Sequence, residues 1–130
     1  ILPKVTCLGH LKKNELCKWY QMADIGVLPS YSEQCSYTGI EMMMHGLPIV
    51  ASDGFGVRNM FHDGLNARIA SITSFKSGKK YSAHLAEAIL ALLFSDTLCQ
   101  ILGQNAQKLA TSVYSVSLMR NKYRQLINEL

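Results

Sequence analysis

The chain has 130 residues, of which 48% are hydrophobic and 17% charged, with 13 Lys and Arg against 9 Asp and Glu. This length suits a single domain with one sizeable core, and so apolar a composition excludes an intrinsically disordered chain. The net charge of +4 is mild and its basic residues are scattered along the sequence, so we expect no nucleic-acid partner. No apolar run approaches the roughly 18 residues that would predict a transmembrane helix.

Short apolar runs alternate with helical patterns over the first seventy residues. The predicted strands span residues 4–9, 25–28 and 48–52. The predicted helices begin at Asn14, run from Thr38 to Gly46, and follow Gly56 for a short stretch ending near Gly64. Strands that are apolar throughout are typical of a parallel sheet covered on both faces, and their alternation with helices predicts right-handed crossovers. We predict an α/β fold with a Rossmann-like, doubly wound parallel sheet.

The second half of the sequence predicts helices only. Three lysines between Phe75 and Tyr81 predict an exposed loop. Ser82 and Ser95 are predicted to cap the two helices that follow, because a serine hydroxyl can accept from first-turn N–H groups. A last helical pattern covers residues 116–130. The predicted fold therefore ends in α-helices.

Cysteine and histidine residues are too scattered to predict a metal site. The four cysteines, at positions 7, 17, 35 and 99, include no Cys-x-x-Cys pair, and no two of the four histidines are four residues apart. Structural zinc sites usually take their ligands as closely spaced pairs. We therefore expect no metal, and cysteines that stay reduced in a cytoplasmic protein. We expect no other cofactor either.

The most elaborate connection after a predicted strand runs from Pro29 to Thr38. In doubly wound sheets, ligands bind outside the carboxyl ends of the strands. The unpaired N–H groups and dipole of the helix that follows favour an anion, for which phosphate is the obvious candidate. Glu33 and Glu41 are separated by seven residues and could accept hydrogen bonds from hydroxyl pairs at opposite ends of such a ligand. Two glutamates at this spacing are equally compatible with solvated surface residues.

A larger pattern surrounds the two glutamates. In order, the sequence has Pro29-Ser30, Glu33, Glu41, Gly46-Leu-Pro48 and Val50-Ala-Ser52. This pattern resembles the C-terminal, donor-binding half of retaining glycosyltransferases of the GT-B fold, glycosyltransferase family 4 (glycosyl transferases group 1). Upstream, Gly9, Leu16, Trp19-Tyr20 and Ala23-Asp24 resemble the same family. The resemblance is detailed from about residue 4 to residue 70.

The resemblance implies transfer of a sugar, with retention of configuration, from a UDP- or GDP-linked donor to an acceptor. It assigns Glu33 the catalytic contact with the donor sugar and Glu41 the ribose hydroxyls. The diphosphate would be held by backbone amides around Ser36, Tyr37 and Thr38, and the nucleobase pocket lined by Gly9 and His10. Family members often build bacterial surface polysaccharides, so the resemblance implies a cytoplasmic enzyme at the inner face of the membrane, with peripheral association of the whole protein.

The resemblance also implies where this chain lies in a whole enzyme. Because residue 1 is Ile rather than Met, we expect a piece of a longer protein. Residues 1–130 would be the donor-binding domain, truncated at its N-terminal side, with a crossover helix at 114–130. The family's basic phosphate-binding pair, and the domain for a glycan, lipid-linked or other acceptor, would lie upstream of Ile1. We expect the chain alone to bind donor nucleotide weakly and to transfer no sugar.

Several positions depart from the family pattern. Gln34 and Cys35 stand where the family has Gly and an aromatic residue, and Asn59 stands where it has Glu. A degenerate, structural glycosyltransferase partner therefore stays open as an alternative. A non-catalytic nucleotide-binding domain is the other alternative, although Gly9-His-Leu-Lys lacks the Gly-x-Gly-x-x-Gly run of a dinucleotide site.

Overall fold

The computed structural model describes residues 4–72 and 78–129. One parallel sheet has the order β1 (Gly26–Leu28), β2 (Ile49–Ser52) and β3 (Arg68–Ala70). Around it lie α1 (Lys13–Met22), α2 (Tyr37–Met44), a 3₁₀ helix (Val57–Asn59), α3 (Gly78–Leu93), α4 (Asp96–Val113) and α5 (Val116–Asn128). The open parallel sheet with helices confirms the predicted Rossmann-like α/β fold.

The central strand β2 is covered on both faces, which explains why it is apolar except for its last residue, Ser52. Ile49 and Ala51 belong to one core cluster and Val50 belongs to another, as expected when side chains alternate along a strand. The first cluster also contains Tyr20 of α1, Met43 of α2 and Ala106 of α4. The second contains Leu92 of α3 and Leu102 of α4. Helices therefore pack on both sides of the sheet.

Helix α2 is fixed at its far end by α4. Met43 and Ala106 are fully buried in the same cluster, and Gln107 Nε2 donates a hydrogen bond to the Met44 carbonyl oxygen over 3.1 Å. The opposite end of α2 follows the loop that leaves β1. Because the far end is held, the N-terminus of α2 has a defined place at the carboxyl edge of the sheet.

Serine caps begin the last two helices. The Ser95 hydroxyl accepts from the Leu98 N–H of α4, which confirms its predicted cap. The Ser115 hydroxyl accepts from the Leu118 N–H of α5 in the same way. The predicted cap at Ser82 is wrong because α3 already begins at Gly78. The predicted loop at 75–81 is therefore helical from residue 78, and residues 75–77 lie outside the described ranges.

Tertiary packing explains the early start of α3. Tyr81 is only 8% exposed and belongs to the second core cluster. Its ring also lies 5.3 Å from the ring of Tyr31. Most helical stability in proteins comes from packing rather than from local propensity. Burial of Tyr81 thus favours a helix that already includes this residue, which the local run of lysines and glycine did not predict.

The predicted strand at residues 4–9 is wrong. These residues are exposed and form no strand in the described part of the chain. A strand needs a neighbour whose N–H and C=O groups complete its ladder. The described strands pair only as β1 with β2 and β2 with β3. The β-prone sequence alone is therefore not sufficient to make residues 4–9 a strand.

The short helix after β2 ends earlier than predicted, and a strand that was not predicted follows it. The 3₁₀ helix stops at Asn59, where the side chain of Asn66 organises a turn instead. Asn66 accepts from the His62 N–H over 2.7 Å and donates to the Met60 carbonyl oxygen over 2.8 Å. Strand β3 then begins at Arg68, whose guanidinium pairs with Asp63.

Helix α5 leaves its apolar side chains uncovered. None of its residues is buried, and the exposed apolar ones are Val116, Met119, Tyr123, Leu126 and Ile127. Its identity as a crossover helix stays a prediction.

Within the described ranges, no single helix is long and apolar enough to cross a membrane. Residues 80–93 and 96–128 meet the length and composition only when they are taken together, and the chain bends by 102° at the break between these two stretches.

Candidate functional site

The loop that leaves β1 holds Glu33 at the carboxyl edge of the sheet. Its carboxylate is half-buried, and Oε1 accepts a hydrogen bond from the Ser30 hydroxyl over 2.7 Å. The Glu33 N–H donates to the Phe55 carbonyl oxygen over 2.9 Å. Oε2 makes no hydrogen bond to any described residue. Glu33 is thus oriented by two contacts and keeps one oxygen available for a ligand hydroxyl.

The loop after β2 supports the Glu33 loop through its backbone. Gly56 has a φ of +79°, and a Cβ added there would overlap the Glu33 carbonyl oxygen. Only glycine satisfies both the left-handed conformation and this close approach. The buried Ser52 hydroxyl donates to the Ser30 carbonyl oxygen and accepts from the Gly54 N–H. The two loops therefore form one rigid support beneath Glu33.

The N-terminus of α2 presents unpaired N–H groups beside this loop. Ser36 is 2% exposed and caps the helix, its hydroxyl accepting from the Gly39 N–H over 3.1 Å and its carbonyl oxygen from the Ile40 N–H. The helix begins at Tyr37, one residue before the predicted start. The N–H groups of Tyr37 and Thr38 have no intrahelical acceptor. This helix end can therefore bind an anion.

Glu41 lies in the second turn of α2 and is half-buried. Its Oε2 accepts a hydrogen bond of 3.3 Å from the Tyr20 hydroxyl, which comes from α1. Burial, together with the charge and hydrogen bond of Glu41, raises the pKa of Tyr20 to about 12. A hydrogen bond with Thr38 opposes that increase. The Tyr20 hydroxyl thus stays protonated at neutral pH and donates to the predicted site residue Glu41.

Tyr20 is not among the predicted site residues, although its position carried a signal. It lies four residues after Leu16 in the predicted first helix, a spacing typical of one apolar helix face, and a buried tyrosine usually finds a polar partner for its hydroxyl. The partner itself could not be predicted, because Glu41 is 21 residues away. The Tyr20 ring also lies 5.3 Å from the ring of His45, whose Nδ1 is 2.8 Å from the Glu41 carbonyl oxygen.

Gly9 and His10 are not joined to the rest of the predicted site. Both are exposed, in the segment before α1. Within residues 4–72 and 78–129, no hydrogen bond links either of them to Glu33, Glu41 or the start of α2. Their place in a nucleobase pocket stays a prediction.

An open cleft of about 420 Å³ lies next to Glu33, where β2 and β3 end. Its lining includes Tyr31, Ser32, Asp53, Phe55 and Arg58. Burial alone would raise the pKa of Asp53, but hydrogen bonds from the Ser71 hydroxyl and the Ile72 N–H, with the nearby Arg58 charge, lower it. Asp53 is not among the predicted site residues, and its place directly after a strand was the available signal.

The described side chains include no group of three or more His, Cys, Asp or Glu residues that could hold a metal ion. The chemistry that these residues offer is of two kinds. Carboxylates at Glu33 and Glu41 can accept hydrogen bonds from ligand hydroxyls. Between them in sequence, the free N–H groups of Tyr37 and Thr38 can bind an anionic group.

Sequence comparison identifies a matching family and several relatives. The family model described as glycosyl transferases group 1 matches residues 1–95. D-inositol 3-phosphate glycosyltransferase 2 of Catenulispora acidiphila is 32% identical over 98 residues, which are 72% of this chain and 20% of that protein. Alpha-D-kanosaminyltransferase of Streptomyces kanamyceticus is 24% identical over 127 residues, which are 98% of this chain and 31% of that protein. The chain thus spans between a fifth and a third of these relatives.

Solved structures share the fold. Sucrose-phosphate synthase from Thermosynechococcus elongatus matches with a TM-score of 0.79 and 24% identity, over 96% of this chain and 31% of that one. Anabaena HepE, solved in complex with UDP, matches with a TM-score of 0.75 and 19% identity, over 87% of this chain and 29% of that one. At these identities the likeness concerns the fold alone.

Proposed function

We propose that this chain, which belongs to the glycosyl transferases group 1 family, forms the nucleotide-sugar-binding half of a retaining glycosyltransferase. The observation that carries the proposal is the order of groups at the carboxyl edge of the sheet. Glu33 keeps a free carboxylate oxygen, Tyr37 and Thr38 offer free N–H groups, and Glu41 follows one turn later. In this order, the three groups suit the sugar, the diphosphate and the ribose of one nucleotide-sugar donor.

Each group has a separate role in this proposal. The N–H groups of Tyr37 and Thr38 bind the diphosphate. Glu41 accepts hydrogen bonds from the ribose hydroxyls, and Glu33 accepts them from the donor sugar. HepE is a structural neighbour solved with UDP and with UDP-glucose, which supports a uridine diphosphate donor as the first to test.

The proposed reaction needs no protein nucleophile. The bond between the sugar C1 and the β-phosphate oxygen breaks, and the acceptor hydroxyl oxygen bonds to C1 from the same face. Because the new bond forms on the face that the leaving group departs from, configuration is retained. The proton of the acceptor hydroxyl passes to the departing phosphate oxygen. Negative charge grows on the diphosphate as it leaves, and the preorganised N–H groups of Tyr37 and Thr38 stabilise it.

Titration calorimetry with UDP and UDP-glucose tests these roles. We expect Glu41→Ala to weaken the affinity for both ligands at least tenfold, since a hydrogen bond to a charged group contributes roughly 1.5–3 kcal/mol. Glu33→Ala should leave UDP affinity unchanged but remove the difference between UDP-glucose and UDP. Glu87→Ala, which removes an exposed carboxylate of α3, is the matched control and should change neither.

Two outcomes would contradict the proposal. One is that neither this chain nor a longer protein that includes it binds any nucleoside diphosphate. The other is that both glutamate variants bind both ligands as the parent does. In a longer, active protein, Glu33→Ala should reduce turnover and Glu41→Ala should raise the donor KM. Turnover with a panel of sugar nucleotides also separates an enzyme from a degenerate structural partner.

A further inference from the structure

The Glu41 carboxylate has one structural partner, which comes from another helix. Tyr20 of α1 is 9% exposed, and its ring is part of the first core cluster. Its hydroxyl reaches out of that cluster to Glu41 Oε2 at 3.3 Å. Glu41 Oε1 makes no hydrogen bond to any described residue. The contact therefore occupies one carboxylate oxygen and leaves the other for a ligand.

A glutamate on a helix surface binds a ligand more tightly when such a contact already orients its carboxylate. Its side chain has several rotatable bonds, and freezing them when a ligand binds costs roughly 0.5–1.5 kcal/mol. The Tyr20 ring is already fixed by burial, so its hydroxyl offers a fixed anchor. Ordering Glu41 before the ligand arrives removes much of that cost.

Other groups of α2 lie near the same side chain. The Thr38 side chain is close enough to the Tyr20 hydroxyl to lower its pKa. On the other side, the Tyr20 ring lies 5.3 Å from His45 at the end of α2. Within α2, the group that the Tyr20 hydroxyl holds by a hydrogen bond is the Glu41 carboxylate, whereas the position of the helix itself is fixed by α4.

We propose that Tyr20 is a positioning residue that orients the Glu41 carboxylate toward the ribose hydroxyls of the donor. This inference rests on the proposed function, because it requires that Glu41 bind ribose. It assigns Tyr20 no contact with the ligand. Its effect should be confined to ligands that carry the ribose hydroxyls.

The test compares UDP with 2′,3′-dideoxy-UDP, which lacks both hydroxyls. We expect Tyr20→Phe to weaken UDP about fivefold, the size of one hydrogen bond, and to change the affinity of the dideoxy analogue by less than twofold. Tyr114→Phe is the matched control, since Tyr114 is a partly buried tyrosine packed against the same core cluster. Both affinities should be unchanged in that variant.

The result also separates this inference from the proposed function. If the parent does not distinguish UDP from its dideoxy analogue, the ribose role of Glu41 fails and the role of Tyr20 fails with it. If Glu41→Ala removes the distinction but Tyr20→Phe keeps it, only the Tyr20 proposal is overturned. Equal weakening of both ligands by Tyr20→Phe indicates a merely structural role and overturns it too.

A second measurement needs no substitution, and so does not depend on the folding of a variant. The ¹³Cζ resonance of Tyr20 reports on the hydrogen bond of its hydroxyl. We expect it to shift when UDP binds to the parent chain and to move much less with 2′,3′-dideoxy-UDP. Equal shifts with both ligands would contradict the proposal.

Discussion

At the scale of single residues, the candidate site depends on a close approach between the backbone of Gly56 and that of Glu33. Residue 56 has no space for a side chain, because the Glu33 carbonyl oxygen lies where its Cβ would stand. The orientation of a carboxylate thus depends on a residue that has no side chain. Hydrogen bonds from Ser30 and to Phe55 then fix the remaining freedom of Glu33.

We expect Gly56→Ala to lower the free energy of unfolding by roughly 3 kcal/mol, through the clash with Glu33 added to the strained φ. Gly64→Ala is the control, because Gly64 has a similar φ of +70° but nothing within 4 Å of an added Cβ. It should lose only about 1 kcal/mol, the cost of the left-handed conformation. Urea unfolding measures both values. Equal losses would show that the clash is relieved by movement of the loop.

The predicted site residues were accessible from the sequence to different degrees. Glu33 and Glu41 belong to a local pattern. The connection from Pro29 to Thr38, which carries Glu33, leads directly into the predicted helix that carries Glu41. Tyr20 and Asp53 could not be assigned in this way. Their roles depend on contacts across 21 and about 19 residues, which only the folded chain brings together.

At the scale of elements, the strands with buried faces were the easiest to predict. β1 and β2 are apolar except for Ser52 at the end of β2, and clear turn residues bound them. Both agree with the prediction to within a residue. β3 has three residues and begins with Arg68, so it shows no apolar run. Residues 4–9 differ from β3 in the opposite way. Their side chains favour a strand, but no strand lies beside them among the described residues, and they form none.

The two last helices should differ in local stability. α4 buries Leu102, Ala106 and Ala110, whereas α5 buries no residue. Helices with few buried contacts open at low free-energy cost. We expect the amides of α5 to exchange with solvent at least tenfold faster than those in the middle of α4, as measured by hydrogen–deuterium exchange. Equal protection in a monomeric sample would contradict the view that α5 lacks a partner surface here.

At the scale of the whole molecule, the two-sided packing of the sheet leads to the site. Helices on both faces hold β2 in the interior, so the loops after β1 and β2 meet at one edge. α4 fixes the far end of α2, and α1 places Tyr20 against the face of α2 that carries Glu41. The contacts that hold the fold together therefore also position Glu33, the start of α2 and Glu41. The proposed ligand, which has hydroxyls on either side of a diphosphate, suits this arrangement.

The central claim is that the diphosphate binds at the start of α2. Two-dimensional amide NMR of this chain during titration with UDP-glucose tests it most directly. We expect the largest shifts at the amides of Tyr37 and Thr38, with smaller ones at Glu33 and Glu41, and the same pattern with UDP except at Glu33. Saturating ligand that leaves the Tyr37 and Thr38 amides unmoved, or that shifts only residues of α5, would contradict the account.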